Sequence, residues 1–185
     1  MKTFFFTFVL ALAWIGCDDV PSGPGPFPES ETAAAQFSSV DSLARSLNKG
    51  LRLLTVSGFS VGIDGHCETW HYQFFDTSQT PVTYWFHACS KGFGFDSTSV
   101  LPVGVSAITG HWCDSDSAIH IAEKNGGSDF RGEYPDYSIT AVLGEAVVPN
   151  SAPTWWITYR CMSDASKSLL VGIDAGTRSV VISAN

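Results

Sequence analysis

Between Thr32 and Asn48, apolar side chains recur at Phe37, Val40, Leu43, Ala44 and Leu47, the three-and-four spacing of a single helix face. Gly50 stands where a left-handed cap would close that helix. The pattern then turns β-like: Leu51 to Ile63, Glu68 to Asp76 and Val82 to Ala88 read as strands. The last two are rich in aromatic residues and are joined by Thr77-Ser78-Gln79-Thr80-Pro81, while Lys91 to Ser97 reads as a fourth strand loosened by Gly92 and Gly94. The same order then returns. A helix is predicted from about Ser115 to Asn125, with Ala118, Ile119 and Ala122 facing inward. Asp114 is its N-cap, Asp116 adds negative charge at the positive helix end, and Gly126-Gly127 ends it. Strands follow at Tyr137 to Val147, Thr154 to Met162 and Leu169 to Ile173, with a short return at Val180 to Ser183.

Ahead of this repeating plan lies a different kind of sequence. Met1-Lys2 makes a basic start, and Phe4 to Ile15 form an uncharged run broken only by Thr7, too short to span a bilayer and suited to a signal-peptide core. The run ends at Trp14-Ile15-Gly16-Cys17, which resembles a bacterial lipobox, with Trp14 where the usual pattern has Leu. In that reading Cys17 receives the lipid and residues 1–16 are removed. The competing reading is ordinary cleavage after Ala11-Leu12-Ala13, which leaves Cys17 as a free thiol. Cysteine parity favours lipid, because it leaves an even set of Cys67, Cys89, Cys113 and Cys161 for an oxidising compartment. Residues 17–31 carry the lipid site and a Pro/Gly-rich tether that stays extended. Residues 32–98 then form a first unit, 99–112 a connector and 113–185 a second unit.

The second unit carries a resemblance. Asp114-Ser115-Asp116-Ser117-Ala118-Ile119-His120-Ile121-Ala122-Glu123-Lys124-Asn125-Gly126-Gly127, then Thr154-Trp155-Trp156-Ile157-Thr158-Tyr159, then Val171-Gly172-Ile173-Asp174-Ala175-Gly176-Thr177 resemble a PepSY-type domain. In that family's final hairpin Gly follows Thr, whereas Arg178 stands there in this chain. The first unit is similar in its order of elements, as a diverged copy. The fold the resemblance implies is α+β, with two PepSY-like units, each a helix packed on an antiparallel three- to four-stranded sheet. The implied roles are peptidase inhibition or local control of envelope proteins, and no catalytic residue comes with them.

The aromatic hairpin makes its own predictions. Centred on Ser78, opposed positions sum to 156, which sets Cys67 across from Cys89 as a feasible cross-strand bridge. Cys113 then pairs with Cys161 by elimination, with the other two connectivities of four cysteines and free thiols as the alternatives. The same register puts Trp70, Tyr72, Phe74, Tyr84 and Phe86 on a core face and Thr69, His71, Gln73, Phe75, Thr83, Trp85 and His87 on the other. Two readings of that second face stand open: a binding surface built on His71, Phe75, Trp85 and His87, or a face covered by the second unit's sheet or by a helix.

Composition narrows the function. With 18 acidic against 10 basic residues and a net charge of −8, the chain lacks the phosphate-neutralising stripe of a nucleic-acid binder. His66, His71, His87, His111 and His120 show none of the paired spacings of a zinc site, and no nucleophile elbow, P-loop or dinucleotide fingerprint occurs. The expectation is a lipid-anchored envelope protein without cofactor, metal or catalysis. It would be a binding or regulatory module acting on a peptidase or another envelope protein, with the membrane engaged through its lipid. The alternative is a structural or surface-exposed module without a dedicated ligand; peptide or sugar capture and hydrolysis are further readings.

Overall fold

A computed structural model of the protein describes residues 31–76, 82–100, 106–145 and 153–184. Its elements are α1 (Phe37–Leu47), β1 (Arg52–Phe59), β2 (Thr69–Phe75), β3 (Val82–Cys89), β4 (Gly92–Val100), α2 (Ser115–Ala122), α3 (Ser128–Glu133), β5 (Tyr137–Gly144), β6 (Thr154–Cys161), β7 (Ser168–Asp174) and β8 (Val180–Ala184). The signal peptide expected over residues 1–16, the lipid site Cys17 and the tether as far as residue 30 lie outside the described residues; Glu31, the last residue of the expected tether, is paired with Cys67 in an isolated bridge.

The strands join into one antiparallel sheet, ordered β4-β3-β2-β1-β5-β6-β7-β8. This corrects the expected pair of separate helix-on-sheet units. The element order does repeat, but the first strands of the two repeats pair with each other, Val56 with Leu143 through Phe59 with Thr140. A backbone edge that would need covering in a separate unit is instead satisfied by the other half.

Strand alternation assigns the two faces of this sheet. Trp70, Tyr72, Phe74 and Phe86 from the first half and Ile139, Ala141, Leu143, Trp155, Ile157, Tyr159, Leu169, Val171 and Ile173 from the second all lie in one buried cluster. Val40 and Ala44 of α1, Ala118, Ile119 and Ala122 of α2, and Phe130 of α3 close over it. Both helical segments therefore cover the same face. The helix spacing read from the sequence holds over 37–47, but Gly50 is not in the left-handed conformation. The helix ends instead at an extended Asn48, whose side-chain oxygen accepts from the Gly50 amide at 2.8 Å.

Asp114 caps α2 as expected, its carboxylate accepting from Ser115 N at 2.7 Å, and it also accepts from Ala34 N of the first half at 2.9 Å. Gly126-Gly127 does not end the helical run. The backbone kinks at Asn125 and at Gly126, where φ is +109°, and helix resumes as α3.

The turn after β7 places a non-glycine residue where the chain needs a left-handed one. Asp174 Oδ1 accepts from Gly176 N at 3.0 Å and Thr177 N at 2.7 Å, and Arg178 takes φ +62° as its amide donates to Asp174 O. A side chain there meets the Cβ penalty that glycine avoids. Arg178→Gly is expected to stabilise the fold by about 0.5–1 kcal/mol, read as a higher urea midpoint at unchanged slope. A lower midpoint would show that the arginine side chain contributes more than its backbone costs.

Candidate binding face

The face opposite the helices is lined by Thr55, Ser57 and Phe59 of β1, His71, Gln73 and Phe75 of β2, and Thr83, Trp85 and His87 of β3. Register brings these side chains together in pairs: His71 lies opposite His87, Gln73 opposite Trp85, and Phe75 opposite Thr83. β1 sets Ser57 against His71, and the Phe59 ring tilts over the His71 ring with centroids 6.2 Å apart. From β4, Asp96 enters at the bulge where the register shifts between Trp85 and Phe86, and its carboxylate bonds His87 Nδ1. Gly94 makes room for that imidazole, since a Cβ there would lie 3.0 Å from His87 Cε1. Trp85 Nε1 donates to Ser99 Oγ at 3.0 Å, which fixes the indole over β4.

The expected division of hairpin residues into two faces agrees with the structure, but the register and the covering do not. Opposed residues sum to 158, with Thr69 across from Cys89. A shift of two residues preserves every face assignment, because side chains alternate with a period of two. Neither expected cover lies on this face: the second half's sheet continues edge to edge, and the described helices pack on the other side. His71, Trp85 and His87 are half-buried, Phe59 is 61% exposed, and Phe75 is only 3% exposed, so Phe75 drops out of the accessible surface and Phe59 enters it.

Burial acts on the chemistry of His71. Removal from water disfavours the imidazolium and lowers its pKa from the ordinary 6.5, with Asp96 pulling it up and His87 pushing it down. His71 is therefore mainly neutral at pH 7. Among the described residues no three His, Cys, Asp or Glu side chains converge as metal ligands.

The expected Cys67–Cys89 and Cys113–Cys161 bridges do not form, although Cys89 is itself disulfide-bonded. Cys67, Cys113 and Cys161 are free and buried. The two-residue change of register sets Cys67 beyond the paired stretch. There it forms an isolated bridge with Glu31, and its thiol lies 3.1 Å from Phe59 O. Cys113 sits at one end of β6, its carbonyl accepting from Trp155 Nε1 at 2.8 Å, whereas Cys161 closes the other end. Six residues of strand separate those ends, roughly 20 Å, and a disulfide requires Cα atoms within about 7 Å. Burial raises the pKa of both the Cys67 and the Cys113 thiols, which disfavours the reactive thiolate.

A second polar cluster, with no signature in the sequence spacing, ties α3 to the sheet. Arg131 of α3 donates from Nε and Nη2 to the Glu123 carboxylate, the closest contact being 2.6 Å, and Tyr159 OH of β6 donates to the same carboxylate at 2.9 Å. The Arg131 guanidinium lies 5.5 Å from the centre of the Tyr137 ring. These bonds tie the kinked helix pair to the sheet, and charge-assisted hydrogen bonds of this kind contribute about 1.5–3 kcal/mol each. An arginine eight residues beyond Glu123 falls outside ordinary helical spacing, and only the kink at Asn125 and Gly126 brings the two together.

No protein-family model, no curated protein and no solved structure matches the chain, and nothing in these comparisons identifies a PepSY-type domain.

The placement of the cysteines predicts their chemistry. Alkylation under native conditions should leave Cys67, Cys113 and Cys161 unmodified, and alkylation after denaturation without reductant should label all three, as read by peptide mass spectrometry. A Cys113–Cys161 crosslinked peptide would contradict their placement at opposite ends of β6.

Proposed function

We propose that the chain is a lipid-anchored, non-catalytic binding module of the cell envelope that holds an extended segment of another envelope protein against its open sheet face. A single observation carries this reading. Phe59, His71, His87, Asp96 and Trp85 form a continuous accessible group across four adjacent strands, joining aromatic area to hydrogen-bonding groups. Aromatic rings anchor partners at low entropic cost, and neighbouring polar groups fix orientation. Four strands set side by side offer neighbouring contact points across about 14 Å, a span that several residues of an extended chain would cover. The location rests on the sequence: a leader with a basic start and an uncharged run that leads to Cys17, and a Pro/Gly-rich tether that would hold the folded part away from the bilayer. A peptidase is one envelope protein that would present such a segment.

The binding reading is tested by placing a photo-crosslinking residue at Phe59 in intact cells, with Lys124, exposed on the helical side, as the control position. One protein adduct should form from position 59 and none from 124. Trp85→Ala, which leaves the core face untouched, should lower the adduct yield by about tenfold, the loss of one good anchor. Equal adducts from both positions, or none from 59, would favour a structural module without a dedicated ligand. The anchor is tested separately by palmitate labelling: wild type should incorporate label and Cys17→Ser should not. Equal incorporation would sink the lipoprotein reading.

A further inference from the structure

We propose that His71, His87 and Asp96 act as one proton-sensing unit that sets the charge of the open sheet face. The geometry puts the three groups on three consecutive strands at one spot. His71 and His87 are directly opposed across β2 and β3, and the Asp96 carboxylate reaches back from the β4 bulge to bond His87 Nδ1. The groups acting on His71 can be named from each neighbouring strand. β1 supplies Ser57 and Phe59, neither of which titrates in this range; β3 supplies the like charge of a protonated His87; and β4 supplies the opposite charge of Asp96. One carboxylate thus serves two imidazoles. It is already bonded to His87, so a proton arriving on His71 finds Asp96 only at a distance and a second imidazole directly across.

The direction follows from the burial of His71. Its pKa is lowered in the fold, so the neutral ring's contribution to stability is complete above 6.5 and is lost as pH falls through the lowered value. In the same window the face gains one positive charge, on a chain whose net charge is −8. A partner that covers His71 removes it further from water and favours the neutral ring. On the binding role proposed above, capture should therefore weaken by up to about tenfold per pH unit below the His71 midpoint, the limit for one linked proton.

The unit is tested without any partner by following the imidazole carbon resonances of the five histidines against pH by NMR. His71 should titrate below the ordinary imidazole value of 6.5. Asp96→Asn, which removes the attracting charge at constant shape, should move the His71 midpoint down, and His87→Ala should move it up. A His71 midpoint at or above 6.5, or one that stays fixed in both variants, would overturn the proposal; amide dispersion confirms that each variant is folded. Crosslinking from position 59, repeated at neutral pH and near pH 5, reads the consequence for binding. Absence of an adduct at every pH counts against the binding role and leaves the titration result standing, whereas an equal adduct at both pH values refutes the linkage between them.

Discussion

The structure depends on one seam, the antiparallel pairing of β1 with β5. At its centre Gly58 lies beside Ala141, the two smallest residues, and over that gap Trp70 from the first half meets Trp155 from the second edge to face, 6.1 Å apart. The gap is a steric requirement: a Cβ at Gly58 would lie 2.6 Å from Trp70 Cζ3. The indoles are held at their outer ends as well, Trp70 Nε1 donating to Glu31 O at 2.7 Å and Trp155 Nε1 to Cys113 O at 2.8 Å. Each bond anchors its ring to the segment that leads into a helix. From Trp155 the ring contacts continue through Trp112 and Phe37 to Tyr72, so a chain of aromatic contacts runs from the seam to α1.

The seam also explains why two repeats do not make two units. A helix on four strands leaves β1 with an open edge, and the apolar residues beside that edge, Val56 in one half and Leu143 in the other, would face solvent if the halves parted. Joining them satisfies both edges and merges two small cores into one. Polar contacts across the join reinforce it: Ser115 Oγ donates to Gly65 O at 2.7 Å and accepts from Ala33 N at 3.0 Å, so one buried hydroxyl links the start of α2 to two segments of the first half.

Much of this was legible in the sequence, and the division follows from which interactions are local. Helical spacing at Val40 and Ala44 and strand alternation at Trp70, Tyr72 and Phe74 reflect chain geometry within a few residues, so the elements and their inward faces could be read directly. The pairing of β1 with β5 joins residues more than eighty positions apart, and nothing in either stretch distinguishes a free edge from a shared one. The hairpin erred for a related reason. Alternation determines which face a residue occupies but not its register, so the sequence puts His71 and His87 on one face without pairing them and opposes Cys67 to Cys89, whereas the fold pairs the two histidines and sets Thr69 across from Cys89. Glu123 and Arg131 escaped notice because Gly126-Gly127 read as a helix end, and the kink that replaces that end is what lets the two side chains meet.

The seam and the open face are two sides of one constraint. Strand alternation that points Gly58 toward the tryptophans points Ser57 and Phe59 the other way, so closing the core beneath Trp70 sets the Phe59 ring beside His71 on the far side. The β4 bulge acts similarly at the other end of the group: it shifts the register between Trp85 and Phe86 and gives Asp96 the reach to bond His87. His71 therefore lies between the exposed Phe59 ring of β1 and a carboxylate presented by the β4 bulge. Its depressed affinity for protons follows from that position, since burial removes water and the opposite charge of Asp96 is already engaged by the neighbouring imidazole.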